Sequence, residues 1–507
     1  MPWSYRPGTN TETEDFVASF VDASPAGIAT RVQKWDTLFV FATAARARFA
    51  TKLLTYIKSE RPVRVHTHRM NRKALGYGFS FFLALAGGIR ADFQGATHMM
   101  PFDEDTISYS KSPSQGPVPR LQQRIENGSV TLRFDPVYGY LFSVLEQLKI
   151  STNSQMLVFS KTSFQRERIS PKTPRALFFN DDVYVGFIPG APLMEISSAD
   201  AKLGGVFYTL DQIKTARPRL VRNDQCLECH ASAKTMGVPG HLVRSFATDE
   251  NGVVDLNTGT SLVNHRTPLE ERWGGWYVTG THGDQTHRGN LIGKAAFERQ
   301  EKQPNFLGNL TDLKTLFDDA GYPSGQSDIV ALMVLEHQTH MHNFITRLNY
   351  EATLALGQYG HINYLKNVSE AFLKYLLFTE EAPLRSSIKG ISGFSESFVS
   401  QGPKDRQGRS LREFDLQTRV FKYPCSYLIY SEPFDALPAK MKEHLYRRLR
   451  EILTGQDTKP EFKSISPESK RAILEILLDT KSDLANCWKT NGTSTIVSAR
   501  DNNFKSK

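Results

Sequence analysis

The chain has 507 residues, 40% of them hydrophobic and 23% charged, with four cysteines. That length and composition suit two or three folded domains and exclude a disulfide-stapled mini-protein, a disordered chain and a polytopic membrane protein. The formal charge of +9 sits at the front: residues 92–507 carry 49 basic groups against 47 acidic ones, so a nucleic-acid-binding body is excluded.

In chain order, Met70-Asn71-Arg72-Lys73 opens a basic segment that runs into an apolar stretch over 75–86 and then into small residues around Gly87, Gly88 and Ala91. This is the order of a secretory signal peptide. A signal begins at a true N-terminus, so residues 1–69 are expected to be a mis-annotated extension and residues 70–91 the signal. A buried core helix is the alternative for the apolar stretch. Beyond it no apolar run is long enough to span a membrane. Residues 92 to about 120 are rich in Ser, Pro and Asp and read as an extended lead-in. Helical spacing predicts a helix over 118–150; short strands are predicted at Met156–Ser160, Val183–Ile188, Leu193–Ile196 and Val206–Leu210. Asn251-Gly252 predicts a hairpin turn between 243–247 and 253–256. After about 310 the pattern changes to long helices at 328–356, 362–378, 411–420, 438–454 and 467–480, with Pro438 opening one and Gly455 closing it. The expected fold class is α+β: a mixed domain over 92–310 carrying short strands and hairpins, then a mainly α-helical domain over 311–507.

The chemistry lies in Cys226-Leu227-Glu228-Cys229-His230, a Cys-x-x-Cys-His pattern. Two thiols three positions apart can form thioethers to the two vinyl groups of one haem, and the adjacent His230 then reaches the iron as its proximal ligand. Other readings of the pair remain open at this point. A thiol oxidoreductase wants thioredoxin-like βαβ texture, which this region lacks. A structural zinc site wants two more ligands, and Cys425 and Cys487 are remote in sequence. Those two cysteines are expected to be buried thiols or a single disulfide. One covalent haem c is the expected cofactor.

Four segments, Val206–Asp211, Cys226–His230 with Gly237–Ser245, Glu271–Gly283 and Tyr423–Ser431, together resemble an uncharacterised family of large secreted bacterial cytochrome-c-like proteins with a single haem motif. The resemblance implies haem and secretion and leaves the reaction open. Unlike a small class I cytochrome c, the motif here is flanked by strand-like segments.

The sixth iron position separates the function classes, because a carrier closes it and a haem enzyme leaves it open. The Gly-rich aromatic segment 273–287 makes His282 or His287 the first candidate distal ligand, with polar loop histidines as the structural alternative. Met236 and His241 are weaker candidates. His337, on the apolar stripe of the long helix, is a candidate distal ligand, with a haem-side acid/base or a core histidine beside two surface ones as the alternatives, and Glu336-His337-Gln338-Thr339-His340 is not a zinc-peptidase motif. Arg217, Arg219, Arg222 and Arg244 bracket the motif as potential propionate partners or as solvated surface groups. The expected function is one-electron transfer by an exported monohaem protein, periplasmic or secreted. Its partner would be a redox protein or a small oxidant or reductant, with no nucleic acid and no membrane span after signal removal. The alternatives are a peroxidase-like haem oxidoreductase with an open site beneath Trp273, Trp276 and Tyr277, and a haem-based sensor.

Overall fold

The computed structural model describes residues 98–256 and 260–488. The expected extension over 1–69 and signal over 70–91 lie outside the described residues. Among the described residues no helix is long and apolar enough to cross a membrane.

Six strands form an antiparallel meander in which sequence neighbours are spatial neighbours: β1 Met156–Val158, β2 Arg175–Phe179, β3 Val183–Phe187, β4 Leu193–Asp200, β5 Gly204–Asp211 and β6 Leu220–Arg222. Register assigns the two faces, since residues paired across an antiparallel ladder point the same way. Phe178, Val185, Ile196 and Tyr208 are mutually paired and enter one core, together with Val118, Leu121 and Ile125 of helix α1 (Pro117–Glu126) and Leu141, Val144 and Leu145 of α2 (Leu141–Gln147). The opposite face presents Phe179, Tyr184, Ser197 and Phe207 in one row, and Leu177, Gly186, Glu195, Thr209 and Val221 in the next.

A four-residue helix, α3 (Leu227–His230), follows β6; a second ribbon pairs β7 (Val243–Phe246) with β8 (Thr260–Val263). Then come α4 (Gly293–Lys302), α5 (Ile329–Tyr359), α6 (Lys366–Leu376), α7 (Phe394–Ser400), α8 (Glu432–Asp435), α9 (Ala439–Leu453) and α10 (Pro467–Thr480). Helix α5 contributes to the larger core along most of its length. Asp328 caps it by accepting from Val330 and Ala331 N–H, and Gly360 ends it in a left-handed conformation. Residues all around its N-terminal half are buried, as a helix enclosed on every side requires. One side meets the second face of the sheet, where Tyr350 donates to Leu203 O and Asn349 to Ala201 O at the β4–β5 turn. Its other side packs in one core with Val368 and Phe372 of α6, Leu445 and Leu449 of α9, and Ile473 and Leu477 of α10.

The fold is mixed α and β, with the six-stranded sheet and the two-stranded ribbon both antiparallel. The expected division near 310 runs through a shared core: Met156, Phe179, Tyr184 and Val243 bury with α5 and the later helices, and all described residues belong to one compact unit. Locally, the helix expected over 118–150 is two helices, because Gly128 turns the chain at a positive φ and Asp135 organises a turn by accepting from Val137 and Tyr138 N–H. No helix forms over 411–420, where Asp415 accepts from Gln417 and Thr418 N–H and Leu416 sits at φ 56°. The Asn251-Gly252 hairpin forms at its turn end, where Thr248 bridges Val254 and Asp255 N–H donates to Ala247 O, while β7 itself pairs with 260–263 and not with 253–256. Strands β2 and β6 were not anticipated.

Candidate functional site

Strand β6 ends at Arg222, and Asn223 caps the following turn by accepting from Gln225 N–H, so Cys226 enters α3 directly. On that turn Cys226, Cys229 and His230 stand at i, i+3 and i+4, on one helical face. Cys226 is half-buried and Cys229 exposed.

His230 is held from both sides by Gly240. Its carbonyl accepts from Gly240 N–H at 2.8 Å, and its Nδ1 lies 2.9 Å from Gly240 O. A carbonyl oxygen only accepts, so Nδ1 carries the proton and Nε2 keeps its lone pair. Burial lowers the His230 pKa, which holds the ring neutral. Protonated Nδ1 bonded to a carbonyl with Nε2 left as donor atom is the arrangement in which protein histidines ligate metals.

Gly240 is placed by α5. Asn343 accepts from His241 N–H at 2.9 Å and donates to His241 O at 2.6 Å, and a Cβ at Gly240 would come within 2.1 Å of Asn343 Oδ1. The loop between His230 and Gly240 is closed by the Ala231–Pro239 bridge, while Gly237 turns at φ 72° against the backbone of His98. The ring of His230 packs on Phe207 at 4.7 Å and lies 6.5 Å from His241, whose Nε2 is 3.0 Å from Ser197 Oγ. Phe207 and Ser197 pair across β4 and β5, so the motif lies on the second face of the sheet at its β6 end.

The next row of that face holds Glu195, which pairs with Arg175 at 2.8 Å; both side chains are mostly buried, 15% and 21% exposed. Both charges act on the Cys226 thiol and on the His230 ring. Burial pushes the Cys226 thiol up to about 11, the wrong direction for a thiol oxidoreductase, whose attacking cysteine is a stabilised thiolate. Among the described residues no group of three or more His, Cys, Asp or Glu side chains is arranged to hold a metal ion. The residues do fit a covalent haem: two unbridged thiols and an imidazole with an open Nε2 share one face, and Arg175 Nε beside them is buried with no hydrogen-bond partner.

His282 and His287 lie in the interior, 4.7 Å apart, with His287 packed on Trp273. His282 Nε2 accepts from Asn309 N–H and His287 Nδ1 from Gly289 N–H, both at 3.0 Å. Their ring contacts are with one another and with Trp273, whereas the ring contacts of His230 are Phe207 and His241. The glycines and aromatic rings of 273–277 splice β1 to β7: Phe159 and Ser160 N–H donate to Gly275 O, Phe246 N–H donates to Gly274 O, and a Cβ at Gly274 would meet Phe246 O at 2.3 Å. Trp273 Nε1 donates to Glu336, which also pairs with the buried Arg272. His337 is fully buried, bonded to Ser426 Oγ at 2.8 Å and to the His265 ring at 2.9 Å. Met236 occupies a left-handed turn of the 231–239 loop.

Of the four arginines, Arg222 is bound to Asp224, Ser112 O and Tyr109 O, and Arg217 and Arg219 are exposed. Arg244 lies over the Phe246 ring at 4.3 Å, near Cys229. Cys425 and Cys487 are not disulfide-bonded. Phe207 and Gly240 stand in the sequence only as members of the quoted segments, with no role, and Arg175 and Glu195 carry no sequence signal except Gly186 inside strand β3, which marks a close approach there. Comparison of the chain with protein-family models, with curated proteins and with solved structures finds no match in any of the three. The resemblance to cytochrome-c-like proteins therefore rests on the quoted segments.

Proposed function

We propose that Cys226 and Cys229 bind one haem c covalently, that His230 is its proximal ligand, and that the protein is an exported one-electron carrier. The observation that carries the haem assignment is the Gly240 carbonyl on His230 Nδ1, which leaves Nε2 as the unprotonated ring nitrogen, free to ligate iron. When bound, the haem supplies reversible one-electron chemistry at iron. The chain supplies the rest. Asn343 and Gly240 fix the imidazole, Phe207 supports its ring, and the sheet beneath excludes water from one side of the motif. The exposure of Cys229 keeps that edge of the site at the surface, where a redox partner protein can approach. The histidines at 282 and 287 are left out of this site because their ring neighbours are one another and Trp273, whereas the ring neighbours of His230 are Phe207 and His241. Export follows from the signal order at 70–91, since c-type haem is attached outside the cytoplasm.

The test is expression from Met70 alongside a cytochrome c maturation system. The expected result is secretion, a mature chain starting near Gly87 or Asp92, haem that survives denaturing electrophoresis, and loss of that haem in Cys226→Ala/Cys229→Ala. Two titratable thiols at 226 and 229 in the mature exported chain would overturn the haem assignment. A chain that keeps Met1 and stays in the cytoplasm would overturn export.

A further inference from the structure

We propose that the Arg175–Glu195 pair sets the reduction potential of the haem site, with Gly186 as the bed on which it lies. This rests on the haem reading above and adds a role for residues outside the motif.

Sheet register brings the pair together. Arg175 shares a face with Leu177, two residues on, and Leu177 pairs with Gly186, which pairs with Glu195. The arginine must therefore cross strand β3 diagonally to reach the glutamate on β4. It does so over Gly186, where an added Cβ would stand 2.4 to 2.8 Å from three guanidinium atoms. Any side chain at 186 would occupy the path of the guanidinium. Stability gives little reason for this construction: a glycine inside a strand weakens it, and an ion pair taken out of water recovers little net free energy. The glutamate is further held by Gln165, whose Nε2 donates to Glu195 Oε1 at 3.2 Å, while Arg175 Nε is left buried without a partner.

What the pair adjoins is the motif. On the same sheet face, one row away, Phe207 carries the His230 ring, and both charges act on His230 and on Cys226. Reducing the iron adds one negative charge at the centre. A guanidinium held nearby in a region of low dielectric favours that state, and a carboxylate beside it opposes it. The two groups therefore act with opposite signs, and the fixed crossing over Gly186 holds their balance constant.

Redox titration of the haem-loaded chain tests this, after the haem content of each variant has been measured. At an applied potential equal to the wild-type midpoint, R175Q should lower the reduced-to-oxidised ratio about three- to tenfold, and E195Q should raise it by a similar factor. R175K, which keeps the charge, should lie near wild type, and R175Q/E195Q should return most of the way to it. A change in packing alone would not invert sign between the two single variants or cancel in the double. Shifts of the same sign, or none, in haem-loaded variants would overturn this proposal and leave the haem reading intact. A wild-type chain without haem overturns both, and is recognised before any potential is measured.

Discussion

The Cys226–His230 turn and the interior around Glu336 use the same residue types to opposite ends. On the turn, one ring nitrogen of His230 is spent on a backbone carbonyl and the other is left for a ligand. In the interior His337 is spent on both sides, on Ser426 and on His265, and His282 and His287 each accept a backbone N–H. With both nitrogens spent His337 is part of the core, while His282 keeps an unpartnered Nδ1 in the interior and differs from His230 in its neighbours, His287 in place of Phe207 and the thiols.

That contrast is open to test. The largest effect is expected at the interior ion pair. Glu336→Ala leaves Arg272 buried and unpaired and should cost about 3–5 kcal/mol in denaturant unfolding. If the two regions are separate, the haem spectrum of the protein that remains folded should match wild type; a changed spectrum would join them. Asn343→Ala should reverse the pattern. It strips two hydrogen bonds from the His241 backbone, costs about 2–3 kcal/mol, and alters the His230-dependent spectrum by loosening Gly240. An unaltered spectrum would detach α5 from control of the motif.

The third effect is a pH dependence. Burial lowers the His287 pKa to about 3, against about 6.5 in an unfolded chain, so between those values the unfolded state binds the extra proton and stability falls as pH falls. His287→Gln removes that contribution. Its unfolding free energy should lose about 2 kcal/mol less than wild type between pH 7 and pH 5, and parallel pH profiles would show the ring to be solvated. Smallest of all, Arg217→Ala and Arg219→Ala should change stability by less than about 0.5 kcal/mol and leave haem content unchanged, as expected of exposed arginines.

Local signals were legible wherever a residue acts through its own backbone. The Pro438 start and Gly455 end of α9, the Asn251-Gly252 turn and the long helix from Asp328 all follow from capping and periodicity, and each is in the structure. The aromatic density of 273–287 was legible too, but its meaning was not. Gly-rich aromatic sequence serves close approach of any kind, and here the neighbour is the backbone of β1 and β7. The helix over 411–420 failed for a different reason: its apolar spacing is real, but the Asp415 side chain claims the N–H groups a helix would use.

By itself the sequence determined the Cys-x-x-Cys-His spacing of Cys226, Cys229 and His230, because that depends only on residue order, and that the fold mixes helices with short strands. Three-dimensional packing alone decided the rest. It packed strand residues and the later helices into one core around α5, spent both ring nitrogens of His337 on hydrogen bonds, and set Gly240, Asn343, Phe207, Arg175 and Glu195 around the motif. Asn343 lies more than a hundred residues from the histidine loop it holds, and the Arg175–Glu195 pair depends on strand register across β3. Pairings of that range are fixed by which faces bury together, and no local spacing records them.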